Sequence, residues 1–325
     1  MANKKTTAVL KSYKSTGIKY LSPEWETARK HLGIGGSEAS AIAGFNPYSS
    51  AYSVYWDKVG DIPPKPISEA MRQGSDLEEY VAQRFCEATG KKVKRNAFML
   101  QSIAHPFMLA DVDRFVVGEN AILECKCGLN RSGYTYEDTN NIPAYHLVQC
   151  LHYMAVVGAD KCYLATLVYG KDFFIIEINR SDYEEDIKAL IEMEERFWND
   201  NVKAELPPAP DGSDSSTELL AAQYATANDE LEPIDLSRFS TQLNRLSELK
   251  REIDVLDGEK KGIENLLKEQ LGEAPEGLCD GYKVTWKNRS SVRLDTKALK
   301  ADLPEVYARY AKTSTTRTFL FYSDI

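Results

Sequence analysis

With 325 residues the chain is long enough for one large domain and a smaller one, and a hydrophobic content of 43% suits a globular protein. No run approaches the roughly 18 apolar residues of a membrane helix and no apolar signal-peptide core follows the start, which excludes a membrane role and points to the cytoplasm. The net charge of −9 leaves any contact with a polyanion to local positive patches rather than to the surface as a whole.

Residues 1 to 20 carry Lys4, Lys5, Lys11, Lys14 and Lys19, no acid and no hydrophobic period, and read as a mobile basic arm. Pro23 to His31 reads as a helix. The stretch GIGGSEAS (residues 33 to 40) follows, and glycine-rich backbone opening a helix leaves free N–H groups that suit a phosphate. A plain N-cap by Ser37, with Glu38 in the first turn, explains the same residues. Ser68 to Thr89 has helical period, with Leu77, Val81, Phe85 and Ala88 in one stripe and Gly90 as the stop. Glu78 lies beside that stripe, about 100° round from Leu77, and Ser75-Asp76-Leu77-Glu78 also fits a capping box. The basic run Lys91, Lys92, Lys94 and Arg95 then serves either DNA or a solvated face.

Two runs rich in Phe, Val, Ile and Leu, PFMLADVDRFVV and AILECKC, flank the turn signal GEN and predict a β-hairpin. Carboxylates inside a half-buried strand need a cationic partner. Glu124 and Lys126 leave the same face of their strand, while Cys125 and Leu123 point the other way. A turn centred on Glu119 and Asn120 sets Asp113 opposite Lys126 and Phe115 opposite Glu124. Any even loop, or a bulge restoring the parity, keeps the three charged groups on one face. Two carboxylates and a lysine converging there make either a hard-cation site with an adjacent base or electrostatic stabiliser, or an inter-strand salt bridge. Asp111 is a competing ligand on the same face.

Past the hairpin, Arg131 to Asn141 reads as a polar loop and Pro143 as a helix start. In that helix Leu147, Val148, Leu151, Met154 and Ala155 form the buried face. Tyr145, Gln149, His152 and Tyr153 cluster apart from it, a face that can position phosphates and water, with His152 taken alone as a polar surface residue. KCYLATLVYG and DFFIIEINR predict a second hairpin closing the sheet, and Asp182 to Asn199 an acidic amphipathic helix. ELPPAPDGSDSS, residues 205 to 216, reads as a linker. Beyond it Leu246, Leu249, Ile253, Leu256, Lys260, Ile263 and Leu267 follow a heptad that wants a partner helix, weakened by Gly258 and Gly262 at about 1 kcal/mol each. A β-hairpin over GLCDGYKVTWKNRSSVRL and one final helix, DTKALKADLPEVYARYAK, complete the chain. The six cysteines, Cys86, Cys125, Cys127, Cys150, Cys162 and Cys279, lack zinc-site spacing and disulfide density and read as reduced thiols.

Asp113 followed by Glu124-Cys125-Lys126 resembles the PD-(D/E)XK nuclease signature. GIGGSEASAIAGFNPYSSAYSVYWDKVGD (33 to 61), RQGSDLEEYVAQRF (72 to 85), and Gln149 with Tyr153 in a Q-x-x-x-Y pattern narrow the likeness to the YqaJ-type viral recombinases, the family of phage lambda exonuclease. The resemblance covers about residues 24 to 200. It implies an α/β fold, a mixed central sheet flanked by helices, to which the heptad and hairpin patterns beyond it add a C-terminal helical and β-hairpin region. It also implies magnesium- or manganese-dependent 5′ to 3′ digestion of linear double-stranded DNA in phage-type recombination. Two ions would be held by Asp113, Glu124, the Cys125 carbonyl and Glu78, with Lys126 assisting the attacking water and Gln149 and Tyr153 beside it. In the family an Arg and a Ser hold the terminal 5′-phosphate, which points to Arg29 and Ser37, with Arg72 and Lys92 as further DNA contacts. Where many relatives have Asp-Gly, this chain has Asp113-Arg114. Some nucleases of the superfamily carry an iron-sulfur cluster on one upstream and three downstream cysteines; here only Cys279 lies downstream, so neither that cluster nor zinc is expected. The resemblance further implies a ring-shaped homotrimer, a single-strand annealing protein as partner, and a bacterial host cell as setting. The expected organisation is an arm (1–20), a nuclease domain (21–204), a linker (205–216) and a C-terminal interaction or DNA-clamp domain (217–325). An endonuclease on the same core, and a non-catalytic DNA-binding adaptor, are the alternatives.

Overall fold

The computed structural model describes residues 12–60, 68–128 and 142–322, so the expected loop from Arg131 to Asn141 lies outside the described residues. In chain order the elements begin with β1 (Tyr13–Lys19), α1 (Pro23–Leu32), α2 (Gly36–Ile42), α3 (Ala51–Val59) and α4 (Glu69–Thr89). Strands β2 (Val93–Arg95), β3 (Phe98–Ser102), β4 (Leu109–Ala110), β5 (Arg114–Val116) and β6 (Ala121–Gly128) follow. Then come α5 (Ala144–Val157), β7 (Lys161–Val168), β8 (Asp172–Asn179), α6 (Glu184–Arg196) and α7 (Asp214–Gln223).

Five strands form the central sheet in the order β2-β5-β6-β7-β8. Only β6 and β7 run parallel, because α5 carries the chain back over the sheet between them, and the other pairs are antiparallel. Each face of the sheet has its own core. On one, Val81, Ala82 and Phe85 of α4 pack on Leu123, Val116, Tyr163 and Ala165. On the other, Ile122, Cys162, Leu164, Ile176 and Ile178 meet Leu151 and Met154 of α5 and Ile187 and Leu190 of α6. This is a mixed sheet flanked by helices on both faces, as the resemblance implies.

Tyr13 to Lys19 is a strand rather than part of a mobile arm. β1 pairs antiparallel with β3 in a small sheet of order β1-β3-β4. Its β-formers Tyr13, Thr16 and Ile18 are the half-covered positions. Thr16 donates to the Met99 carbonyl at 2.9 Å and Tyr13 stacks on Phe115. The lysines hide this alternation in the sequence, as does a register shift around Gly17, whose φ of 76° is left-handed.

The division of the chain also differs from the reading of 205–216 as a linker. Two compact units separate between Gln223 and Tyr224. The Ser/Asp composition that reads as linker is a helix-start network: Asp211 Oδ1 accepts from the hydroxyls of Ser213 (2.5 Å) and Ser216 (2.7 Å), and Ser216 bonds Ser50 at 2.9 Å.

The second unit contains α8 (Ser240–Leu271), the hairpin β9 (Glu276–Cys279) and β10 (Tyr282–Thr285), and helices α9 (Thr296–Asp302) and α10 (Pro304–Tyr310). No residue of α8 is buried; on its heptad face Ile253 and Leu256 are 56% and 62% exposed. The single final helix expected from sequence is two. Pro304 pushes the residue before it away from helical geometry, and Leu303 sits at φ −133°, ψ 62°.

Candidate active site

The hairpin register decides which side chains meet. Arg114 pairs with Leu123 and Phe115 with Ile122, around a loop in which Gly118 takes φ 88°. The expected parity holds, but the register is two residues from the expected one. The left-handed position falls on Gly118, so the turn closes earlier than a turn centred on Glu119 and Asn120. The next position along therefore sets Asp113 beside Glu124 rather than Lys126. Asp113 Oδ2 accepts from the Cys125 N–H at 2.8 Å.

Asp113, Glu124, Cys125 and Lys126 line an open cavity of about 470 Å³ with Gln149 and Tyr153 of α5, Arg29 and Ser37 from the α1–α2 corner, and Glu78 of α4. Arg72 and Lys92 are not among its lining residues. Both are exposed, Arg72 in the first turn of α4 and Lys92 just before β2.

Lys126 Nζ lies 2.8 Å from Glu124 Oε1 and donates to Gln149 Oε1 at 2.9 Å; Gln149 Nε2 in turn donates to the Tyr153 hydroxyl at 3.2 Å. The salt bridge weighed as an alternative is thus present, but it does not balance the charge. The buried Glu124 and the half-buried Asp113 face one ammonium, and Glu124 Oε2 is buried with no hydrogen-bond partner. Burial and the charges of Glu124 and Glu78 push the Asp113 carboxyl well above the usual carboxylate range. Burial raises Glu124 too, against the pull of Lys126. Burial alone would lower the Lys126 ammonium, but Glu124 and Asp113 outweigh it and hold it above its ordinary value. Uncompensated negative charge and an unsatisfied carboxylate oxygen are what a hard cation would relieve. Among the described residues no three His, Cys, Asp or Glu side chains gather closely enough to hold an ion by themselves. An ion held by Asp113 and Glu124 would therefore need further donors besides these two carboxylates.

The structure gives Glu78 a partner that the sequence reading lacks. Arg114 Nη1 reaches its Oε1 at 2.5 Å, while Nη2 holds Glu79 at 2.7 Å and Nη1 also donates to the Asp113 carbonyl. The capping box is not used, because α4 starts at Ser68, whose side chain accepts from the Met71 N–H. Asp111 is engaged as well: the Trp25 indole N–H lies 3.1 Å from both its oxygens.

Ser37 is not the N-cap of α2. Gly35 holds that position, and the exposed Ser37 hydroxyl lies 3.5 Å from Arg29 Nη2. Behind this corner is a buried network with no counterpart in the sequence reading. Lys58 Nζ donates to the carbonyls of Arg29 (2.8 Å) and Gly33 (2.7 Å) and to both Glu38 oxygens (3.1 Å), while Arg29 contacts Glu38 at 3.2 Å. Burial opposes the Glu38 charge, but Arg29 and Lys58 prevail and bring its carboxyl down to about 2. The one available signal is position, since Lys58 follows buried Val54 and Tyr55 at helical spacing. Gly36 makes the corner possible: a Cβ there would lie 2.7 Å from Tyr153 Cε1 and 2.9 Å from Gln149 Cγ.

His152 is fully buried, contrary to its reading as a surface residue. Its Nδ1 meets Glu194 Oε1 and its Nε2 the Leu109 carbonyl, both at 2.8 Å. Helical spacing gave no sign of Glu194, which lies in the acidic helix α6.

The YqaJ-like viral recombinase domain model matches residues 24–160. Over 300 residues, 91% of this chain and 92% of the relative, the sequence is 38% identical to the uncharacterised protein YqaJ of Bacillus subtilis strain 168. The chain belongs to the YqaJ family. The domain match spans the Arg29–Ser37 corner, α4, the central hairpin and α5, and so takes in each cavity side chain named above. Among solved structures, the alkaline exonuclease LHK-Exo of Laribacter hongkongensis is similar at 20% identity and a TM-score of 0.43, covering 63% of this chain and 98% of its own. A phage-related exonuclease from Haemophilus somnus 129PT is similar at 14% identity and a TM-score of 0.40, covering 54% and 97%.

Proposed function

We propose that this YqaJ-family chain digests linear double-stranded DNA from its 5′ ends, as a divalent-metal-dependent 5′ to 3′ exonuclease supplying single strands for phage-type recombination. Family membership carries the coarser reading, that the chain is a deoxyribonuclease. The observation that supports the finer one is the joining of two chemistries in one cavity: a cationic and hydroxyl corner, Arg29 and Ser37, and a carboxylate and lysine corner, Asp113, Glu124 and Lys126.

In this reading Arg29 and Ser37 take the terminal 5′-phosphate, a charge-assisted contact of the stronger kind. Asp113, Glu124 and the Cys125 carbonyl would hold two magnesium or manganese ions, with Glu78 at the margin of the set because Arg114 competes for it. Divalent cations held there supply Lewis acidity and charge neutralisation at the scissile phosphate. Lys126, kept as an ammonium by its carboxylate neighbours, stabilises charge that develops on the attacking oxygen and phosphate. Gln149 orients Lys126, and Tyr153 orients Gln149. Arg72 and Lys92, outside the cavity, would meet the duplex backbone. The same reading assigns a homotrimer, a single-strand annealing protein as recipient of the product strand, and the cytoplasm of a bacterial host. Among the described residues no helix is long and apolar enough to cross a membrane.

The test pairs a linear 5′-phosphorylated duplex with a covalently closed circle, in magnesium, for wild type and Glu124→Gln. The linear substrate should be digested and the circle spared, and Glu124→Gln should be inert while still folded and binding DNA. Cutting of the circle would make the chain an endonuclease, and wild-type activity in Glu124→Gln would remove the proposed metal site.

A further inference from the structure

The hydrolytic chemistry leaves unused an aromatic pair on the cavity wall. Tyr48 is 73% exposed, and its ring meets that of Tyr145 edge to face, with centroids 6.3 Å apart and planes at 87°. Both side chains line the cavity that holds Asp113, Glu124 and Lys126. The His146 ring lies 4.1 Å from that of Tyr145 and lines the same cavity, and its buried Nδ1 has no hydrogen-bond partner.

A side chain this exposed is ordinarily free to move, but the loop beneath Tyr48 is clamped. The Asn46 amide group donates to the Ser37 carbonyl at 3.2 Å and to the Ser40 hydroxyl at 3.1 Å, while its Oδ1 accepts from the Tyr48 N–H at 2.9 Å. Asn46 thereby ties the backbone of Tyr48 to that of Ser37. A polar cavity that handles only phosphate gains nothing from an exposed ring at its edge. A nucleotide brings both parts, a phosphate and a flat π-face that every base presents.

We propose that Tyr48, backed by Tyr145, is a stacking platform for the nucleobase of the 5′-terminal nucleotide. The proposal rests on the reading of Arg29 and Ser37 as the seat of the terminal phosphate. It makes the terminal base, and not only its phosphate, part of what the enzyme recognises, without preference among bases, because stacking is sequence-tolerant.

A coupling cycle between the protein side chain and the DNA base tests it. Binding of the full chain to 5′-phosphorylated duplexes ending in either a normal nucleotide or a base-free tetrahydrofuran residue would be measured in calcium, to hold off turnover, for wild type, Tyr48→Ala and Tyr48→Phe. Wild type and Tyr48→Phe should bind the base-bearing end about tenfold more tightly than Tyr48→Ala does, relative to the base-free end. A 2-aminopurine at the terminal position should be quenched on binding to wild type and not to Tyr48→Ala. Thermal melts serve as the folding control, and an exposed Tyr48 should leave them unchanged. A coupling factor near one, or equal quenching in Tyr48→Ala, overturns the platform. If wild type still prefers a 5′-phosphate to a 5′-hydroxyl, the end-binding reading survives that result; if it has no such preference, both fall.

Discussion

Replacing Glu38 by Gln should unlatch the corner that carries Arg29 and Ser37, and the structure sets the size of the effect. The carboxylate sits between Arg29 and Lys58 with its side chain 18% exposed, so solvent screens the pairs only weakly. Its pKa falls from an ordinary 4.5 to about 2. At ~1.36 kcal/mol per pH unit this amounts to about 3 kcal/mol of native stability at neutral pH. A folded-state pKa below the unfolded one means that this contribution is complete above pH 4.5 and is lost as pH falls through about 2. More than half of it should therefore be gone by about pH 3. For a unit of this size, melting of Glu38→Gln at pH 7 should fall by roughly 6 to 12 °C, and the gap to wild type should narrow in acid. The variant should also lose preference for 5′-phosphorylated ends, since the loop backbone that Lys58 holds also presents Ser37. Scanning calorimetry or circular dichroism across pH, with paired rates on phosphorylated and hydroxyl ends, would measure both effects. Equal melting at neutral pH, or a gap that does not shrink in acid, would refute the argument that this network is paired and buried.

Three further outcomes follow from the same geometry. Lys126→Met should cut turnover by ~10² to 10⁴ while leaving DNA binding in calcium near wild type, because the ammonium acts on developing charge; loss of folding, rescued by Asp113→Asn, would instead make the lysine a structural counter-ion. Ser37→Ala should slow digestion of 5′-phosphorylated ends well beyond that of 5′-hydroxyl ends, by on the order of 1.5 to 3 kcal/mol of end binding at fixed salt, and equal effects on the two ends would count against the phosphate site. Gly36→Ala should cost ~1 to 3 kcal/mol of stability and lower activity, as the added Cβ drives α2 away from Gln149 and Tyr153; a silent substitution would mean that the contact relaxes freely.

The sequence by itself determined the parts of this protein that depend on local period and parity. The stripe of α4 with its stop at Gly90, the two central hairpins, and the common face of Asp113, Glu124 and Lys126 are consequences of side-chain geometry over a few residues. That parity survives a shift of two positions, which is why the charged face was legible although the register was not. The family motif likewise brought Gln149, Tyr153, Arg29 and Ser37 to the same cavity. Tertiary structure alone decided what each charge touches. Lys58 draws no reading from the sequence, and only in the fold do Glu38 and the carbonyls of Arg29 and Gly33 close around it. Glu78 reads as a capping-box or metal-site carboxylate until Arg114 claims it, and His152 as a surface residue until Glu194 arrives from a helix 42 positions away. Ionic and hydrogen-bonding partners carry no periodicity, so no pattern in the chain announces them. They are selected by which elements the hydrophobic faces bring together, and that choice is made only when the two cores form on either side of the sheet.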